Sequence, residues 1–308
     1  MTTERFSFLS CDGKTEISAY RILPKSPRAM LQISHGMCEH FLRYEGFAEF
    51  LAERGILVFG HDHIGHGGSV SSKEALGFTA SGGGSDFLVG DVCKLSCLMK
   101  KEYPALPLVL FGHSMGSFIV RAALEGADTS LYRAAIICGT GGPETPAGAG
   151  KLLAALLMRL YGEEHRSPLV KRIAFAGYNK RCGKGCDKNA WLTRDAAVVD
   201  RYNADPLCGF PFTLRAYHDL FTLVERVSRK DWAGKIAKDL PILVVGGAED
   251  PVGNWGKGME AVATRLTEAG NADVTLRLFP DMRHEILNEI DKEQVWSELY
   301  EWIQARLI

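Results

Sequence analysis

The chain has 308 residues, enough to bury a sizeable core, and its 46% hydrophobic share is ordinary for a soluble globular protein. Its 36 Lys and Arg residues almost balance 37 Asp and Glu residues, so the formal net charge of -1 gives no concentrated positive field for duplex nucleic acid. MTTERFSFLSCDGK does not join a basic region to an apolar one, and no apolar run reaches the roughly eighteen residues of a membrane-spanning helix. Eight cysteines are scattered along the chain, several in apolar runs, which favours buried thiols in a reducing compartment. We therefore expect a cytoplasmic protein.

Strand-like and helical patterns alternate along the first half of the chain. RFSFLSCDGKTEISAYRIL predicts a hairpin that turns at Asp12-Gly13, and AMLQIS predicts a further strand. There follow a helix over about 44–54, the strand GILVFGHD, a helix over 86–103, the strand LVLFG, a helix over 115–125 and the strand RAAIICG.

The same alternation returns near the end of the chain. PILVVGG predicts a strand, and a helix near 257–269, the strand VTLRLF and a closing helix over about 292–307 follow. Because the strands are almost continuously apolar, their sheet should be covered on both faces, and the strand–helix order indicates parallel strands. The predicted class is α/β, with an open, mostly parallel central sheet and helices on both faces.

Residues 141–228 interrupt this order. The segment contains helical patches such as KLLAALLMRLYGEE, no convincing strand, and five prolines: Pro143, Pro146, Pro168, Pro206 and Pro211. We expect a helical cap inserted after the sixth strand, over the sheet edge where open α/β folds bind ligands, with 1–140 and 229–308 as the core. The apolar run 152–160 is too short to span a bilayer, so it predicts either a buried helix or a lid surface that touches acyl chains or a lipid interface.

The stretch LVLFGHSMGSFIV places Gly-His-Ser-Met-Gly between a strand and a helix. This order is typical of a nucleophile elbow, in which the serine lies on a very sharp turn. Gly112 and Gly116 are required because a Cβ at either position would clash. The N-terminus of the next helix directs its dipole and free N–H groups to the point where negative charge would develop. We therefore predict that Ser114 is the nucleophile.

A serine hydroxyl needs a base near pH 7, and in this topology an acid and then a histidine follow the nucleophile, each after a late strand. PILVVGGAEDPVG places Asp250 after one strand, and VTLRLFPDMRHEILNE places His284 after the last strand. Asp250 would fix the tautomer of the imidazole and stabilise the imidazolium. Glu249 and Asp281 are rival acids, but Glu249 should point away from its neighbour Asp250, and Asp281 lies in the histidine's own loop. We predict Asp250 as the acid and His284 as the base.

The loop after AMLQIS reads SHGMCEHFLRY and should supply an oxyanion donor. Gly36 lets the backbone turn so that the N–H of Met37 can face the cleft. The N–H of Met115, directly after the nucleophile, would supply the second donor.

Five motifs occur in a fixed order: HGMCEH, GHDHIGHGGS, GHSMGS, GGAEDPV and RHEILNE. Together they resemble the monoacylglycerol lipase and lysophospholipase branch of the α/β-hydrolase superfamily, which is often grouped with the S33 serine aminopeptidases. The resemblance extends over nearly the whole chain, and YNADPLCGFPFT, from Tyr202, resembles the end of that family's cap. It implies a Ser114, Asp250 and His284 triad, Met37 and Met115 as oxyanion donors, and hydrolysis of a carboxylic ester with an acyl chain, such as a monoglyceride or lysophospholipid.

Two clusters of potential metal ligands are interpreted as structural. The first comprises His61, Asp62, His63 and His66, which lie in the family's Gly-His-Gly loop without a fixed ligand geometry. The second comprises Cys182 and Cys186, two thiols whose spacing differs from Cys-x-x-Cys. Cys38 is assigned to packing or pocket lining. We expect no metal and no organic cofactor.

Three alternatives to a soluble acyl-ester hydrolase remain open. An aminopeptidase or amidase with the same triad predicts an acidic pocket for a free α-amine. A lipid hydrolase that works at a membrane or micelle through its cap predicts activity that rises at the micellar transition. A non-catalytic relative predicts ligand binding without turnover. The expected partner is a small acyl ester, and the sequence gives no oligomeric state.

Overall fold

The computed structural model describes residues 3–125, 131–143 and 146–307. Eight strands form one sheet: β1 Thr3–Leu9, β2 Glu16–Ile22, β3 Ala29–Ser34, β4 Ile56–His61, β5 Leu108–His113, β6 Ala134–Cys138, β7 Ile242–Gly247 and β8 Val274–Phe279. Their spatial order is β1-β2-β4-β3-β5-β6-β7-β8. β2 pairs antiparallel with β1 and β4, and the other five neighbouring pairs are parallel. The predicted α/β class with a mostly parallel open sheet is confirmed.

The described helices are α1 Glu45–Ala52, α2 Gly84–Glu102, α3 Met115–Ala123, α4 Ala147–Tyr161, α5 Pro168–Ala174, α6 Ala196–Ala204, α7 Leu214–Ser228, α8 Lys257–Glu268 and α9 Lys292–Leu307. None of these helices is long and apolar enough to cross a membrane. Between β6 and β7 the described residues form α4 to α7 and no strand, as expected for the interruption of the strand–helix order.

The central strands are apolar on both faces because each face packs in a separate core. In β4, Leu57 and Phe59 join the core that contains side chains of α2, α3, α7 and α8. Ile56 and Val58 of the same strand join the opposite core, with α1 and α9. The two-residue alternation of strand side chains thus sends successive apolar residues to two different cores.

Helix α4 is not buried, so the prediction of a buried helix for 152–160 is wrong. Leu152, Leu156 and Leu160 are 63%, 51% and 73% exposed. One face of α4 packs on α7: Ala154 is buried, and a Cβ added to the half-buried Gly150 would meet the ring of Phe221. Leu153 and Leu157 of α4 are half-buried against the core that contains side chains of α7. The other apolar face of α4 therefore remains open to solvent.

Candidate active site

Ser114 lies in the turn between β5 and α3, with φ 54° and ψ -120°. This left-handed φ is rare for a residue with a Cβ and indicates local strain. The turn is tight on both sides of the serine: a Cβ on Gly112 would overlap the carbonyl oxygen of Gly116, and a Cβ on Gly116 would overlap that of Ser34. The Ser114 N–H donates to the Cys138 carbonyl over 3.0 Å, which ties the turn to the end of β6. The two glycines are therefore required by close backbone approach, as predicted.

Asp250 and His284 meet beyond the ends of β7 and β8. Asp250 Oδ2 lies 2.9 Å from His284 Nδ1, and both side chains are buried. The other carboxylate oxygen, Oδ1, accepts the Val252 N–H at 2.8 Å. Asp250 is thereby held from two sides, in an orientation that favours the tautomer of His284 with its proton on Nδ1.

The imidazole of His284 lies between two aromatic rings. Its centroid is 4.6 Å from that of His113 and 5.0 Å from that of Trp191, which belongs to the segment between β6 and β7. The backbone is tied to the same segment, since His284 N–H donates to the Trp191 carbonyl at 3.4 Å and Glu285 N–H donates to the Leu192 carbonyl at 2.7 Å. The histidine loop is therefore packed directly against residues 191–192.

Two opposing effects set the pKa of His284. Burial disfavours the imidazolium, but the charge and hydrogen bond of Asp250, followed by the charges of Glu285 and Glu39, outweigh burial and raise the pKa above its ordinary value. For His113, in contrast, burial and the nearby His284 lower the pKa to about 4. Of these two neighbouring histidines, His284 is the one whose environment favours accepting a proton.

Met37 and Met115 line the same cavity as Ser114 and His284. Met115 is the first residue of α3, so its N–H has no acceptor within the helix. Within the described part of the chain, no hydrogen bond from the Met37 N–H is present. Both N–H groups are therefore available to an anion in the cavity.

Three buried ionic residues that the sequence did not single out connect the two loops of the site. Glu39 accepts the Gly36 N–H at 2.5 Å and the Tyr44 hydroxyl at 2.7 Å. Arg43 pairs with Glu39 and forms two parallel 2.6 Å bonds to Glu285. Burial alone would raise the pKa of Glu39, but Arg43, His113, His35 and the Tyr44 hydrogen bond lower it to about 2. The carboxylate is thus ionised and joins the loop of Met37 to the loop of His284.

The rival acids lie elsewhere. Glu249 pairs with Arg181 at 2.9 Å near the surface, and Asp281 is exposed. Neither is in an ion pair with His284 among the described residues, whereas Asp250 is.

The potential metal ligands form buried packing contacts. His61, His63 and His66 are neutral, because burial lowers their pKa values. A different group, His40, Asp205 and Cys208, brings three possible ligand atoms within 4.8 Å of one another. His40 Nε2 lies 2.9 Å from Asp205 Oδ2, so this pair already links the loop after β3 to the segment after α6.

Cys38 lines the same cavity as Ser114 but is an unsuitable nucleophile. Burial raises the pKa of its thiol, and the thiol donates to the Phe210 carbonyl.

The cavity beside Ser114 has a volume of about 750 Å³. Its apolar lining comes from α3 and α7 and from the chain before α7: Phe118, Phe210, Tyr217, Leu220, Phe221 and Val224. Part of its wall comes from Lys171, Arg172, Lys180 and Lys188, which belong to α5 and the chain that follows it. The cavity therefore combines an apolar lining with several cationic side chains.

The chain is similar to known lipases and esterases over most of its length. The chain is 30% identical to human monoglyceride lipase, over 97% of this chain and 89% of that protein. It is 27% identical to the monoacylglycerol lipase of Mycolicibacterium smegmatis (strain ATCC 700084 / mc(2)155), over 91% and 90% of the two chains.

Among solved structures, a highly thermostable carboxyl esterase from Bacillus coagulans, in complex with glycerol, superposes with a TM-score of 0.92 at 27% identity, and both chains are covered completely. The family model described as "Serine aminopeptidase, S33" matches residues 25–291, which include Ser114, Asp250 and His284. This chain therefore belongs to the serine aminopeptidase S33 family of α/β-hydrolases.

Proposed function

We propose that this protein is a serine hydrolase that cleaves carboxylic esters of acyl chains, with monoacylglycerols or lysophospholipids as substrates. One observation carries the proposal: Ser114, on a strained turn, lines the same cavity as His284, whose Nδ1 lies 2.9 Å from Asp250. The names of the relatives, a monoglyceride lipase and a carboxyl esterase, support the same class of reaction.

In this mechanism His284 removes the proton from Ser114 as its oxygen attacks the ester carbonyl. The N–H groups of Met37 and Met115 hold the negative oxygen of the tetrahedral intermediate, and Asp250 stabilises the imidazolium. His284 then gives its proton to the leaving alcohol, which departs from the acyl-enzyme. Water is deprotonated by His284, attacks the acyl carbon and releases the acid, after which Ser114 regains its proton.

We further propose that 1–140 and 229–308 form the hydrolase core and that 141–228 form a cap, of which residues 144 and 145 lie outside the described residues. The cap presents an apolar surface made of Leu152, Leu156, Leu160, Tyr161, Leu169 and Ile173, all of which are exposed. We call this set the α4–α5 apolar surface. Contiguous exposed apolar side chains favour contact with a lipid interface, so the cap is proposed to touch membranes or micelles transiently.

The eight unpaired cysteines support a cytoplasmic location.

The charges around the cavity argue against aminopeptidase activity, despite the family's name. A free α-amine needs an unpaired carboxylate, but the two glutamates that line the cavity, Glu39 and Glu285, are both bound by Arg43. The other charged lining residues are cations. An acyl ester therefore suits this cavity better than an aminoacyl amide.

An active-site-directed fluorophosphonate tests the nucleophile directly. The native chain should form an adduct on Ser114, and Ser114→Ala should form none and lose esterase activity. The control Ser297→Ala, at a half-buried serine of α9, should behave as the native chain. Mass spectrometry of the labelled peptide identifies the residue. An adduct on another residue, or full hydrolysis of p-nitrophenyl esters by Ser114→Ala, contradicts the proposal.

A further inference from the structure

Two chemically different sets of side chains line the cavity beside Ser114. One set comprises the six apolar side chains of α3, α7 and the chain before α7. The other comprises Lys171, Arg172, Lys180 and Lys188, and all four are exposed at the surface. We call these four residues the cationic rim. An occupant of the whole cavity thus meets both an apolar surface and a concentration of positive charge.

The cationic rim has no acidic partner in the described part of the chain: no carboxylate oxygen there lies within 4.0 Å of any of its four side-chain charges. Arg181 and Arg194 of the same segment, in contrast, lie 2.9 Å from Glu249 and 3.0 Å from Glu289. The charge of the cationic rim is therefore not neutralised at ion-pair distance by any described carboxylate.

The carboxylates that face the cavity do not cancel this charge. Glu39 and Glu285 are buried and share the single positive charge of Arg43, so together they leave one negative charge against the four positive charges of the rim. Lys171 acts on a group inside the cavity: burial raises the pKa of the Cys38 thiol, which lines the same space, and the nearby charge of Lys171 opposes that rise. A cleft lined by one sign of charge concentrates ligands of the opposite sign.

We propose that the preferred substrates are acyl esters whose alcohol part carries an anionic group, a phosphate or a carboxylate, which binds the cationic rim while the acyl chain occupies the apolar region. This inference rests on the proposed function and names the substrate class for it. A neutral glycerol ester fills the same apolar region but leaves the four cations without a counter-charge. The preference should therefore appear as a higher kcat/KM for the anionic ester.

The test compares two substrates with the same acyl chain that differ by one phosphate group, 1-decanoyl-glycerol and 1-decanoyl-glycerol-3-phosphate, each below its critical micelle concentration. The native chain should favour the phosphate ester at low salt, and added salt should reduce that preference. Lys180→Glu/Lys188→Glu should reduce kcat/KM for the phosphate ester about tenfold and change that for the neutral ester less than twofold. The matched control is Arg159→Glu/Lys184→Glu, which makes the same change in net charge at exposed residues that do not line the cavity. This control should keep the native preference.

Each other outcome has a definite meaning. Equal kcat/KM for the two esters, or an equal loss on both esters in the rim variant, overturns the anionic preference while the esterase activity stands. No turnover of either ester, together with no fluorophosphonate adduct at Ser114, overturns the proposed function itself. A third arm presents the neutral ester in vesicles of phosphatidylcholine with and without phosphatidylglycerol. If the rim variant loses activity only on the anionic vesicles, the rim binds a lipid surface and the substrate inference is wrong.

Discussion

Arg43 has an unusual position for an arginine, since its guanidinium is buried between two carboxylates. One of them, Glu39, accepts the Gly36 N–H in the loop of Met37, and the other, Glu285, directly follows His284. Removing one partner from a buried ionic group is costly, because the remaining charge stays desolvated. The group therefore positions two parts of the proposed catalytic apparatus at once.

Glu285→Gln should move the acidic limb of the kcat/KM profile to lower pH. The Glu285 carboxylate, after Asp250, is one of the negative charges that raise the pKa of His284 against the effect of burial, and a neutral amide removes its contribution. His284 then stays unprotonated, and able to act as a base, at a lower pH. Kinetics on a soluble ester between pH 4 and 9 measure this shift.

Glu293→Gln is the control for this pH profile, because Glu293 is an exposed carboxylate in the first turn of α9. It should leave the acidic limb unchanged. If Glu285→Gln lowers the rate equally at every pH, the carboxylate affects only packing and not the proton affinity of His284.

The residues of the site differed in how well the sequence revealed them. Ser114 follows a local pattern of strand, glycine and helix, and the structure does bring the predicted Asp250 and His284 to 2.9 Å. Their catalytic roles stay predictions. Arg43 and Glu285 could not be paired from the sequence, because they are 242 residues apart and no periodic pattern links two isolated charges.

The apolar pattern of residues 152–160 predicts helix α4 but not how much of it is buried. β4 and β5 were predictable as strands because each begins with four consecutive apolar residues, which suits a strand buried on both faces. The burial of α4 depends on α7, which lies much later in the chain and covers only one side of it. The pattern predicted a helix correctly, but the number of partners around that helix is a tertiary property.

Leu156→Gln/Leu160→Gln should weaken binding to phosphatidylcholine vesicles by about tenfold or more. Both leucines belong to the α4–α5 apolar surface, and burying a leucine side chain in an apolar phase contributes about 1.5–3 kcal/mol. Flotation of vesicles measures binding, and kcat/KM on a dispersed short-chain ester should stay native.

Leu9→Gln/Ile290→Gln is a matched control, since these residues are 51% and 58% exposed and lie outside 141–228. Its vesicle binding should equal that of the native chain. Equal losses in the two double variants would show that general surface hydrophobicity, rather than the cap, determines lipid binding.

At the scale of the whole molecule, the neutral buried histidines make folding sensitive to acid. His35 accepts the His63 N–H through Nε2 at 3.0 Å, while its Nδ1 lies 2.8 Å from the Gly36 carbonyl, so its contacts fit the neutral ring. Burial lowers the pKa of His35 to about 4 and that of His61 to about 3. Because the unfolded chain binds these protons near pH 6.5, the contribution of each histidine is complete above that pH and is lost as the pH falls through 6.5 toward the folded value.

His61→Leu should reduce the dependence of the unfolding free energy on pH between 6 and 4 by about 1.4 kcal/mol per pH unit. Neither ring nitrogen of His61 has a hydrogen-bond partner among the described residues, so an apolar side chain of similar size loses no bond. Urea unfolding at several pH values measures the slope. The exposed His165, replaced by Leu, should leave the slope native, and an unaltered slope in His61→Leu would contradict the assignment.

The contacts at Trp191 and Leu192 have a consequence for how substrate enters. The Arg283 guanidinium also donates to the Ala190 and Thr193 carbonyls, so residues 190–193 are hydrogen-bonded to the histidine loop at several points. A rigid-body movement of all of residues 141–228 would break the contacts of His284 with Trp191. If the entrance opens and closes for substrate, we therefore expect α4 and α5 to move while residues 190–193 stay in place. The proton-transfer apparatus would then stay assembled whether the entrance is open or shut.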